Sequence, residues 1–179
     1  MDAEDFRWNY LNADGLTDFG EMCKMLNEKL SRKAFMSDVA GSFAPAIFLL
    51  SDGEPTDDYK KELGNLKENN WFKKAIKVAV AIGEDANKDV LAEFTGNKEA
   101  VITVHTPEAL TKMIRFVSVT ASQIGSKSSG VGKGGVDQAT NKMADTIDAI
   151  KTNALEDPVG GVEIADTPVS ADDQEGWDW

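Results

Sequence analysis

Three short apolar runs, at residues 46–50, 75–82 and 100–104, constrain this chain more than any other feature. The first is bounded by Pro45 and by Gly53 and Pro55, the second ends at Gly83, and each is short enough to be a strand, the first fitting one buried on both faces. The stretches between them carry apolar residues at helical spacing. A first helix is expected from Thr17 or Asp18 to Lys33, with Phe19, Met22, Cys23, Leu26 and Leu30 on one face. A second is expected from Asp57 or Asp58, as cap, to Asn69. A third covers residues 88–94 and is closed by Gly96, and a fourth opens at Pro107 and runs to about residue 121. Strands alternating with helices through short loops predict an α/β fold with a parallel sheet and right-handed crossovers.

The first apolar run ends in Ser51-Asp52-Gly53-Glu54-Pro55-Thr56-Asp57-Asp58. The carboxyl ends of parallel strands are where open α/β sheets place their ligands. Ser51, Asp52, Glu54, Thr56 and Asp57 crowd oxygen-bearing side chains into this loop, and hard oxygen donors suit Mg²⁺ or Mn²⁺. The same residues also read as a turn that caps the following helix.

Charge narrows the function classes. The net charge of −12 argues against nucleic acid or anionic membrane as a general partner. Eight carboxylates and no Lys or Arg follow Lys151, so the acidity belongs mainly to the tail. Cys23 is the single cysteine, which suits a reducing compartment, and its place on an apolar helix face suits core packing. Residues 1–7 are acidic rather than basic and apolar, and no apolar run approaches the roughly 20 residues of a membrane span. A cytoplasmic protein is expected.

The flanks are less regular. Residues 6–11 alternate Phe6, Trp8 and Tyr10 with Arg7, Asn9 and Leu11, which suits an edge strand or an extended arm. Residues 122–135 read as a Gly/Ser linker. They fail as a phosphate loop, because Lys127 stands at the first glycine position and Gly134 where a Ser or Thr must hold Mg²⁺. Residues 136–155 read as an amphipathic helix with Met143, Ile147 and Ile150 in its stripe, free to fold back on the sheet or to dock on a partner. Residues 156–179 are expected to be a disordered acidic tail, with Trp177 and Trp179 as a candidate docking peptide. The domain itself is expected over residues 1–121.

The segments Asp14-Gly15-Leu16-Thr17-Asp18-Phe19-Gly20 and Phe48-Leu49-Leu50-Ser51-Asp52-Gly53-Glu54-Pro55-Thr56-Asp57 resemble von Willebrand factor A (vWA) domains. They look closest to the bacterial tellurium-resistance, TerY-like branch, as do residues 6–11 and 78–83, and the resemblance covers roughly residues 6–118. It implies a doubly wound, Rossmann-like, mostly parallel sheet with a metal-ion-dependent adhesion site at its carboxyl edge. There Thr17 would be a direct ligand, and Asp52 would hold a metal-bound water. Such a site uses Mg²⁺ or Mn²⁺ to bind a carboxylate of a partner protein. The family's Asp-x-Ser-x-Ser loop occurs nowhere in the chain, so the domain reads as N-terminally incomplete. Its absence would leave residues 47–50 as an unpaired apolar edge. The chain is then a fragment, a unit completed by another chain, or a reduced domain with residues 6–11 laid against residues 47–50.

The resulting expectation is a non-enzymatic adaptor in bacterial stress or tellurium-resistance-type signalling, with kinase- or phosphatase-like partners implied by the resemblance. The alternatives are a metal-free interaction module and a metal-dependent hydrolase using Asp52, Glu54 and Asp57. The hydrolase lacks a base or nucleophile beside the metal. The only histidine, His105, follows the third strand and has no partner visible in the sequence.

Overall fold

The computed structural model describes residues 16–31, 33, 44–126, 135–156 and 162–164. In chain order the elements are α1 (Phe19–Lys29), β1 (Ala46–Ser51), α2 (Lys60–Glu68), α3 (Asn70–Lys74), β2 (Ile76–Ile82) and α4 (Lys88–Thr95). A 3-10 turn (Lys98–Ala100), β3 (Val101–Val104), α5 (Pro107–Ser126), α6 (Gly135–Glu156) and β4 (Val162–Ile164) follow. The sheet order is β1-β2-β3-β4, with the first three strands parallel and β4 antiparallel to β3. The fold is therefore α/β with a mostly parallel sheet, compatible with a Rossmann-like arrangement.

Strand alternation divides the core into two layers. Ile47 and Leu49 of β1, Ala79 and Ala81 of β2, and Val101 of β3 face Phe19, Cys23, Leu63, Leu66, Phe72 and Phe94, so α1 to α4 cover one face. Phe48, Val78, Val80, Ile102 and Val104 face Met113, Val117 and Ile150, so α5 and α6 cover the other. Burial on both faces is why β2 and β3 read as near-continuous apolar runs, whereas β1, at the side of the sheet, has only partly buried or exposed residues. Small alanines in β2 let the first layer sit close, while Phe94 is wedged edge-on between Phe19 and Phe72 at centroid distances of 6.1 and 5.2 Å. Fully burying a side chain of that size contributes about 1.5–3 kcal/mol.

Local chemistry sets the helix ends. Asn87 Oδ1 accepts from Val90 N at 3.0 Å to start α4, and Gly96 at φ +77° closes it as expected. Thr106 Oγ1 accepts from Ala109 N at 3.1 Å, with Pro107 in the first helical position of α5. Asn69, expected to end a helix, also starts one. Its Oδ1 accepts from Trp71 N and Phe72 N at 2.8 and 3.4 Å, which nucleates α3, while its Nδ2 donates to Asn27 Oδ1 at 2.7 Å.

Three expectations are corrected. Helix α5 continues to Ser126, several residues into the stretch expected as linker, because the Ser-rich sequence up to there contains only one glycine. Part of the tail is ordered: β4 pairs Val162 with Val104 and Ile164 with Ile102, a backbone ladder on the β3 edge that forms despite the acidic surroundings. Helix α1 stops at Lys29, short of residue 33. Helix α6 folds back on the sheet, with Ile147 and Ile150 each 2% exposed and Thr146 Oγ1 donating to Lys142 O at 2.8 Å. Residues 6–11, 127–134 and 165–179, with Trp177 and Trp179, lie outside the described residues.

Candidate functional site

Thr17 and the turn that carries Asp52 lie together at the carboxyl edge of the sheet. Strand β1 delivers Ser51 to that edge, where Ser51 Oγ donates to Gly53 O at 3.3 Å and tightens the turn. Thr17 precedes α1, and its carbonyl accepts from Thr56 N at 3.0 Å and from Thr56 Oγ1 at 3.2 Å. These bonds lash the two loops together across 39 residues of sequence. A Cβ added at Gly53 would stand 3.7 Å from Thr17 Oγ1, so the hydroxyl faces the turn that carries Asp52. Asp52 is exposed and Thr17 half-buried.

Glu54 and Asp57, the other acids of the loop, are committed elsewhere. Glu54 Oε2 accepts from Asn87 Nδ2 at 2.7 Å, and Asn87 is the residue that caps α4. Asp57 Oδ2 accepts from Gly20 N at 2.7 Å. The expectation that Asp57 or Asp58 caps the second helix is thus corrected: α2 begins at Lys60 with no side-chain cap, and Asp57 caps α1 instead. The cause is tertiary. The Thr17–Thr56 bonds bring the α1 amino terminus to Asp57, where unpaired N–H groups and the helix dipole favour a carboxylate. Asp57 Oδ1 is buried and has no hydrogen-bond partner among the described residues. Each acid is held through one carboxylate oxygen, Glu54 by a side-chain donor and Asp57 by a backbone donor.

The donor set bears on the metal. Mg²⁺ takes six oxygens, keeps several waters and is commonly held through one or two carboxylates. Thr17 and Asp52 offer one hydroxyl and one carboxylate on adjoining loops, hard oxygen donors of the kind such an ion takes but too few for a tightly held one. Among the described residues no group of three His, Cys, Asp or Glu is placed to form a fuller metal cage.

His105 acquires partners that its sequence context hid. Its Nδ1 lies 3.3 Å from Glu84 Oε1 and its Nε2 3.6 Å from Glu163 Oε1. Glu163 sits on β4, in a stretch whose acidic composition masked a strand, so no sequence signal pointed to the pair. Cys23 is fully buried, and burial, followed by the charge of Asp57, pushes its thiol from 9.0 up to about 12. It is a packing residue and stays protonated at neutral pH.

No family model, curated protein or solved structure matches the chain. Among the described residues no helix is long and apolar enough to cross a membrane.

Proposed function

We propose that this chain is a non-enzymatic protein-binding module of the vWA type, docking partners at the carboxyl edge of its sheet around Thr17 and Asp52. The convergence of the Thr17 loop with the Ser51–Gly53 turn carries this reading, because two loops far apart in sequence are bonded so that a hydroxyl and a free carboxylate share one edge. Thr17 and Asp52 would hold Mg²⁺ or Mn²⁺. When bound, the ion supplies an electrophilic position for a partner's Asp or Glu. The diversion of Glu54 and Asp57 into caps and loop bonds, and the protonated state of Cys23, favour binding over hydrolysis. The TerY-like resemblance places the module in bacterial stress or tellurium-resistance-type signalling in the cytoplasm, with kinase- or phosphatase-like partners.

Mn²⁺ titration followed by electron paramagnetic resonance tests the site directly. Wild type should deplete the free Mn²⁺ signal with one saturable site, and Asp52→Ala should lose that depletion while keeping its far-ultraviolet circular dichroism. Equal depletion by Asp52→Ala and wild type would overturn the assignment.

A further inference from the structure

The amino edge of the sheet, opposite the Thr17 and Asp52 loops, holds a cavity of about 340 Å³. Ala75 before β2, Thr95 after the body of α4, and Met143, Ala144 and Ile147 of α6 form much of its wall. That volume, and an apolar wall with a few polar groups, are of the kind that takes a small molecule. Lys77, the second residue of β2, lines the same cavity. It is the one charged residue in a strand that otherwise reads Ile, Val and Ala.

The surroundings of Lys77 favour a neutral amine. Its Nζ donates to Phe72 O at 3.0 Å and to Ala75 O at 3.3 Å. Among the described residues it forms no ion pair. Glu99 shares the cavity but pairs with Lys151 at 3.4 Å. An ammonium carries three N–H donors, whereas an amine carries two and a lone pair. Two carbonyl acceptors match the amine. The Phe72 ring, 4.9 Å away at its centroid, attracts an ammonium, but burial acts against it and pushes the Lys77 ammonium down from its ordinary value. With both N–H groups held by carbonyls, the lone pair is directed away from them. Desolvated lysines of this kind are nucleophiles toward carbonyl carbon.

We propose that Lys77 captures small uncharged aldehydes or ketones in this cavity as an imine. The Nζ lone pair adds to the carbonyl carbon, and the carbonyl oxygen leaves with the two amine hydrogens as one water. The C=O double bond is replaced by C=N, and nothing is oxidised or reduced. Charge sets the class of ligand. Glu99 and Asp148 offset Lys73 in the lining, and Lys73 is itself paired with Glu68 at 2.8 Å. A carbonyl compound carrying a carboxylate or phosphate therefore finds no surplus of positive charge. Lys77 and its cavity act independently of any metal at Thr17 and Asp52.

Reductive alkylation of the full chain with butanal and cyanoborohydride at neutral pH, read lysine by lysine by peptide mass spectrometry, tests the proposal. Lys77 should be alkylated about tenfold faster than Lys61, whose side chain is 82% exposed, and unfolding in urea should erase the difference. Ala144→Phe places a ring in the cavity wall from an exposed helix position, and should slow Lys77 several-fold while leaving Lys61 unchanged. Glyoxylate in place of butanal should lose most of the preference for Lys77. Alkylation of Lys77 no faster than Lys61, a preference that survives urea, indifference to Ala144→Phe, or equal preference with glyoxylate would each overturn the proposal.

Discussion

Asp57 and Gly20 form a joint that neither could form with another neighbour. A Cβ on Gly20 would stand 2.6 Å from Asp57 Oδ2 and 3.1 Å from the Tyr59 Cα, and backbone cannot swing aside. Gly20→Ala should therefore lose a charge-assisted cap of roughly 1.5–3 kcal/mol, against a helix-propensity gain of about 1 kcal/mol. Net destabilisation is expected in urea melts. Gly64 is the contrast: it is exposed in α2 with no atom within 4 Å of a new Cβ, and Gly64→Ala should stabilise by about 0.5–1 kcal/mol. The same sign at both sites would contradict the cap. Cys23 gives a pH signature. Its raised folded value means that the unfolded chain releases the thiol proton first, so its contribution is whole below pH 9.0 and is lost as pH rises toward about 12. Cys23→Ala should flatten that alkaline loss, and native Cys23 should resist a thiol reagent until the protein unfolds. At this scale the sequence offered Asp57 or Asp58 as cap of the second helix, and Asp57 caps α1 instead. The choice depends on a loop contact made 37 residues away.

At the scale of elements, the buried strands were legible because burial on both faces removes polar residues, and α4 was legible because Asn87 and Gly96 are local signals. The misses have a common physical source. Asn69 serves two helices at once, and β4 is held by its neighbour β3 rather than by its own composition. Val162 packs on the second core layer, while the Lys88–Glu163 pair at 3.9 Å is exposed and worth little. Truncation after residue 156 should remove the β4 ladder and the Val162 contact. A loss of about 1–2 kcal/mol follows, a fall of several degrees in melting temperature for a chain of this size. An unchanged midpoint would mean that β4 contributes no stability.

Across the whole molecule, the sheet sets its ligand surface by direction. Parallel strands gather their carboxyl ends on one edge, and the bonds between Thr17 and Thr56 fix two loops there. The position of Asp52 at the end of β1 was readable from strand context, whereas Thr17 was offered only by the vWA resemblance. Their attachment through Thr56, and the separation of Glu54 and Asp57 into other duties, was not readable, since those bonds exist only once α1, α2 and α4 have packed. Among the described residues β1 pairs on one side alone, and the expectation of such an edge came from the strands that the vWA resemblance implies are missing. The central claim is that the Thr17–Asp52 edge takes a divalent ion. The most direct measurement is a thermal melt of the full chain and of Asp52→Ala, each in millimolar Mg²⁺ and in EDTA. At 100 times its dissociation constant a ligand adds about 2.7 kcal/mol, so wild type should melt several degrees higher in Mg²⁺ while Asp52→Ala melts at one temperature in both. A wild-type midpoint indifferent to Mg²⁺, or an equal shift in Asp52→Ala, would contradict it.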